Sequence, residues 1–185
     1  MRTAFILFVL VTIYSCGSKP KEENKTDTLT TTALRLEKEH PAGFFEEAAQ
    51  EFKVGKIHDA GFLFYLGQLR FKYYLKSNPD LSPSGDPALY GALFSTVGGA
   101  LNPELIKDYD GYLSILDSVI AWDKNHDFEF FSKTKFPDKQ KETLDGLIKY
   151  RQYVVDNKKE LIESSKPNKV DSSFNKNKSK DSLRK

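Results

Sequence analysis

Read from its N-terminus, the chain passes from an oily run to a polar stretch, then to a long region where apolar residues return every three or four positions. Phe44, Phe45, Ala48, Ala49 and Phe52 fall at i, i+1, i+4, i+5 and i+8, an apolar stripe on one helical face. Gly55 is placed to stop that helix. From Ile57 through Ala60, Leu63, Phe64, Leu66 and Leu69 to Tyr73 and Tyr74, apolar positions go round the whole circumference. That pattern predicts a central helix covered on several sides and ended by Asn78 and Pro79. Asp86 and Pro87 open a further helix, Asp as N-cap and Pro at its first position, and Gly98 and Gly99 are expected to end it. Asn102 and Pro103 repeat the start signal for a short helix to about Tyr109. Tyr112, Ile115, Leu116, Val119 and Ile120 mark the next helix. After a loop, Pro137 begins a last one, with Leu144, Leu147, Ile148, Val154, Val155, Leu161 and Ile162 as its inner face. No segment alternates with period two for long, so strands are not expected.

The ends differ in kind. Residues 18–32 (SKPKEENKTDTLTTT) carry almost no large apolar side chain, and residues 164–185 are similar and richer in lysine. Such segments bury too little to offset chain entropy. The expected organisation is a signal at 1–15, a flexible tether at 16–33, a helical domain at 34–163 and a disordered basic tail at 164–185. The fold class is all-α: one compact domain of about five to six helices.

The first sixteen residues carry the most specific pattern. Arg2 precedes residues 4–14, an eleven-residue run with only Thr12 polar. A spanning helix needs about 20 apolar residues, so this run has the length of a signal-peptide core instead. It leads into Ile13-Tyr14-Ser15-Cys16, and Cys16 is the sole cysteine of 185 residues. This resembles a bacterial lipobox, with an aliphatic residue at −3 and a small one at −1 before the cysteine; Tyr14 is bulkier than usual at −2. The resemblance implies cleavage before Cys16, a diacylglyceryl thioether on its sulfur, and attachment to the membrane through that lipid. Two or three acyl chains hold a soluble domain stably where one would not. Gly17, where an aspartate would favour inner-membrane retention, makes the outer membrane of the cell envelope the expected location.

A second resemblance is structural. Ala49, Phe52, Gly55, Ile57 and Ala60 look like the helix-turn-helix of tetratricopeptide or Sel1-type repeats. Here Gly55 turns the chain, Ile57 plugs the hairpin and small Ala60 lets the helices approach. The second helix outruns a 34-residue repeat and no second copy follows at a fixed period. A TPR-like αα-hairpin is therefore the expectation, not a repeat protein.

Candidate chemistry is sparse. The net charge of +2 and the lack of a basic stripe with interleaved aromatics argue against nucleic acid as a partner. His40, His58 and His126 stand far apart, away from ligand spacing, so no metal is expected. Residues 108–111 (DYDG) open like a calcium loop, but Val119 stands where the closing Glu is required. No nucleophile elbow or phosphate-binding loop occurs, so no catalytic residue and no cofactor is assigned. The informative polar insertion is YLGQLRFKYY. Gln68 and Arg70 interrupt an apolar helix near Tyr65 and Tyr73, and buried groups of that kind need partners. They form either a structural polar network or the lining of a groove that receives a peptide. The expected function is a membrane-anchored envelope lipoprotein with a helical protein- or peptide-interaction domain. The alternative is a small envelope enzyme acting on cell-wall or glycan material, which would need Arg70, Gln68, His58 and several carboxylates in one cleft.

Overall fold

The computed structural model describes residues 25–165. They form α1 (Lys25–Leu36), α2 (Ala42–Lys53), α3 (Ile57–Ser77), α4 (Asp86–Lys107), α5 (Tyr109–Asn125), α6 (Pro137–Asp156) and α7 (Lys158–Ser164), with one 3-10 turn at Glu129–Phe131. No strand occurs among the described residues, so the chain is all-α. Residues 1–24 and 166–185 lie outside the described residues, and with them the stretch expected to be a signal, Cys16 and most of the polar tail.

α3 is the axis of the domain. Its twelve residues from Ala60 to Phe71 are all buried, and α2, α4, α5 and α6 pack around it. α2 reverses onto α3 through Gly55, whose φ of +80° is the left-handed conformation that only glycine adopts without strain. Near the far end of the hairpin, Gly67 lies so close to α2 that a Cβ there would sit 2.5 Å from Phe44 Cβ. Ala60 is fully buried and Ile57 packs on the core. The hairpin therefore forms as expected from its small residues.

Three expectations need correction. First, the polar stretch does not stay extended up to residue 33, because α1 already begins at Lys25. Leu29 packs on the core, and Ala33 and Leu36 are buried, so one face of that stretch finds apolar partners that its composition conceals. Second, α4 runs unbroken through Gly98, Gly99 and Pro103. Gly98 is a packing residue: a Cβ would approach Phe64 Cζ to 2.7 Å. Gly99 and Pro103 face solvent, where water can satisfy the Gly99 carbonyl that the proline leaves unpaired. α4 also starts one residue early, with Gly85 as its N-cap and no side-chain cap from Asp86. Third, the last helix is two, α6 and α7, parted at Asn157. Leu147 and Val154 are buried, but Ile148 and Val155 are exposed. One residue on means about 100° around the helix, which carries both off the inner face.

Candidate functional site

The four residues singled out in α3 separate into two environments. Arg70 and Tyr73 face the α5 side. Arg70 is fully buried and makes three hydrogen bonds to carboxylates: Nε to Glu37 Oε2 (2.8 Å), Nη2 to Glu37 Oε1 (2.6 Å) and Nη1 to Asp123 Oδ1. Trp122 Nε1 donates to Glu37 Oε1 (2.8 Å) and Gln140 Nε2 to Asp123 Oδ2. Lys133 donates to the Asp123 carbonyl, and Phe130 N to the Glu37 carbonyl at 2.8 Å. Burial works against the Arg70 charge, but hydrogen bonds and charge from Glu37, then Asp123, outweigh it and raise its pKa. Tyr73 donates to the Ser132 carbonyl at 2.8 Å. This is a buried structural network that locks the end of α1 and the loop after α5 onto α3, with the Gln140 amide oxygen left without a partner among the described residues.

Tyr65 and Gln68 point the other way, into a cleft of about 440 Å³ between α3, α4 and α6. From α3 the wall comprises Tyr65, Gln68, Leu69, Lys72 and Lys76. α4 adds Phe94 and Asn102, and α6 adds Glu142, Thr143, Gly146, Leu147 and Tyr150. Beneath the cleft runs a chain of phenols. Tyr65 donates to Asn102 Oδ1 (2.9 Å) and also contacts the Tyr112 hydroxyl, which in turn meets Tyr150 at 2.8 Å. A phenol has one proton to give. With the Tyr65 proton on Asn102, Tyr112 donates to Tyr65 and Tyr150 donates to Tyr112, so the three align in one direction and reinforce one another. Burial, reinforced by the neighbouring phenols, pushes Tyr65 and Tyr112 well above the usual tyrosine range. Tyr65 and Tyr112 stay protonated and form the floor of the cleft.

The cleft is asymmetric in charge. Lys76 pairs with Glu142, but among the described residues Lys72 bonds only to the neutral Gln68 Oε1, at 2.8 Å. Lys72 keeps an exposed surface, yet crowding by the cleft walls, and then the neighbouring Lys76 charge, lower its pKa.

The three histidines stay apart. His40 sits edge-on to Phe71, Tyr74 and Phe130, and its Nδ1 accepts from Ala42 N at the start of α2. His58 pairs with Asp108 at 2.8 Å on an exposed rim, and His126 stacks on Trp122 with ring centres 3.9 Å apart. His58 and His126 line a second, wider hollow of about 590 Å³ beside α5. Among the described residues, no group of three His, Cys, Asp or Glu side chains could hold a metal ion, and no helix is long and apolar enough to cross a membrane. Asp108 both ends α4 and caps α5, accepting from Gly111 N.

The sequence pattern missed Lys72, Phe94, Asn102, Tyr112 and Tyr150. For Lys72 the signal was present: Tyr65, Gln68, Leu69, Lys72 and Lys76 fall at i, i+3, i+4, i+7 and i+11, one face of α3. The others arrive from α4, α5 and α6 with no local signature. No family model, no curated protein and no solved structure matches this chain.

Proposed function

We propose that this chain is a lipid-anchored protein of the bacterial cell envelope whose helical domain binds a peptide or protein segment in the cleft between α3, α4 and α6. The anchor is a diacylglyceryl thioether on Cys16, followed by cleavage of residues 1–15, and the outer membrane is the membrane it enters. The observation that carries the binding reading is the cleft itself. It combines apolar walls with a few placed polar groups, the composition typical of ligand sites, and Phe94 and Tyr150 at its margins remain exposed in the folded domain. An envelope enzyme built on Arg70, Gln68 and His58 would require their convergence. Arg70 is sealed among carboxylates, Gln68 faces the cleft and His58 lies on the separate hollow beside α5.

Two experiments test the two halves. Cells fed an alkyne fatty acid should label the wild-type chain and not Cys16→Ser; labelling that persists in the variant removes the anchor. A photo-crosslinking benzoylphenylalanine at position 94 should capture a discrete partner in intact envelopes. The same group at position 54, exposed at the end of α2, should not. Identical capture patterns would refute the cleft as the binding surface.

A further inference from the structure

Gln68 carries the clue to what the cleft accepts. The residue is 8% exposed, and among the described residues its side chain forms a single hydrogen bond, as acceptor from Lys72. Its amide nitrogen has no acceptor among the described residues and is not sealed away, so it stands at the cleft as a donor open to an incoming ligand. Next to it stands the Lys72 ammonium, which no carboxylate neutralises among the described residues. The cleft thus presents two adjacent donors, one of them cationic, with Phe94 from α4 and Tyr150 from α6 as aromatic walls. The single acid in the lining, Glu142, is already held by Lys76.

We propose that the cleft takes the C-terminal residue of a polypeptide, its carboxylate on the Lys72 ammonium and the Gln68 amide, its apolar side chain between Phe94 and Tyr150. This rests on the peptide-binding reading above and narrows it to a chemical class. Paired donors match the two oxygens of a carboxylate, and a charge-assisted bond is about twice as strong as a neutral one. A chain terminus is the compact way to bring an anion and an apolar group in together, because both hang from one Cα.

The test is calorimetric titration of the full mature chain in detergent micelles with acetyl-Ala-Ala-Phe as the free acid, with its C-terminal amide, and with 3-phenylpropionate. The free acid should bind at least tenfold more tightly than the amide. Lys72→Met should erase that preference with unchanged helical circular dichroism, and Lys53→Met, at the exposed end of α2, should keep it. Equal affinity for acid and amide, or a preference that survives Lys72→Met, overturns the carboxylate site while leaving a peptide cleft standing. Failure of crosslinking at position 94 is what removes the cleft reading itself. Phenylpropionate binding as tightly as the tripeptide overturns the polypeptide as the source of the carboxylate.

Discussion

Arg70→Met removes the one cation that stands between two buried carboxylates, and its cost follows from what is left behind. Glu37 and Asp123 are each about 1% exposed and would lose three charge-assisted hydrogen bonds from Arg70. Gln140 and Trp122 would remain, with Lys133 3.6 Å from Asp123. Breaking a buried pair by deleting one partner costs about 3–5 kcal/mol, because the survivors stay desolvated. A domain of this size has about 5–15 kcal/mol in all, so the loss should lower the melting temperature by on the order of 10–15 °C. Urea unfolding followed by Trp122, the sole tryptophan, and in parallel by circular dichroism measures it. The sharper readout is a reversal of sign. Glu37→Gln should destabilise the wild type, where it weakens a pair, yet recover about 1 kcal/mol or more in the Arg70→Met background, where it removes an unmatched charge. A cost below about 1 kcal/mol for Arg70→Met, or the same effect of Glu37→Gln in both backgrounds, would refute the account of this network.

The glycines of α3 and α4 should divide by what a methyl group would meet. Gly67→Ala, directed at Phe44, and Gly98→Ala, directed at Phe64, should each cost about 1–3 kcal/mol by overpacking. Gly91→Ala and Gly99→Ala meet nothing within 4 Å and should stabilise by about 0.5–1 kcal/mol through helix propensity, all four read by thermal melts. In the loop after α5, Asp127 accepts from Ser132 Oγ (2.7 Å) and Lys133 N (2.9 Å). Burial acts to raise its pKa, but those bonds, the Phe128 amide and the Lys133 charge prevail and lower it below 3.8. A carboxylate depressed in the folded state contributes stability above its unfolded pKa and loses it as pH falls through the folded value. Asp127→Asn should therefore flatten the acid limb of a stability–pH curve below about pH 4; an unchanged limb would show that the carboxylate is not coupled to folding.

The architecture was legible wherever an element's own periodicity decided its fate. α3 reads as a central helix because apolar residues surround it, and α2 and α5 because their stripes are clean. The misreadings share a cause: an outcome set by a distant partner. Gly98 looks like a helix stop until Phe64 is seen to need the space. Residues 25–33 look like a tether because eight of the nine are Lys, Thr, Asp or Ala, yet Leu29, Ala33 and Leu36 at i, i+4 and i+7 are enough to seat α1. For the candidate site, the polar interruption at Gln68 and Arg70 was visible as an anomaly. The division of labour between them was not, since two residues apart on a helix means about 200° of rotation. That rotation sends one side chain to Glu37 and Asp123 and the other into the cleft.

The position of α1 also bears on the proposed anchoring. With acyl chains on Cys16, nine residue steps lead from Cys16 to Lys25, where α1 begins. Fully extended, nine residues reach at most about 32 Å. A domain of this length has a radius of gyration of about 14 Å, so that reach is no more than the body's own width. A tether running to residue 33 would have allowed roughly twice as much. On this reading the domain can turn on its leash but stays beside the bilayer. α1 is itself fastened: the backbone carbonyl and the carboxylate of Glu37, one residue past its end, bond to Phe130, Arg70 and Trp122. If Cys16 carries the lipid as proposed, a pull on it would be delivered to the buried Arg70 network. The cleft takes none of its wall from α1 or α2, so the elements that would bind and the element that would tether are different ones. A partner could then occupy the cleft without displacing the helix that leads to the membrane.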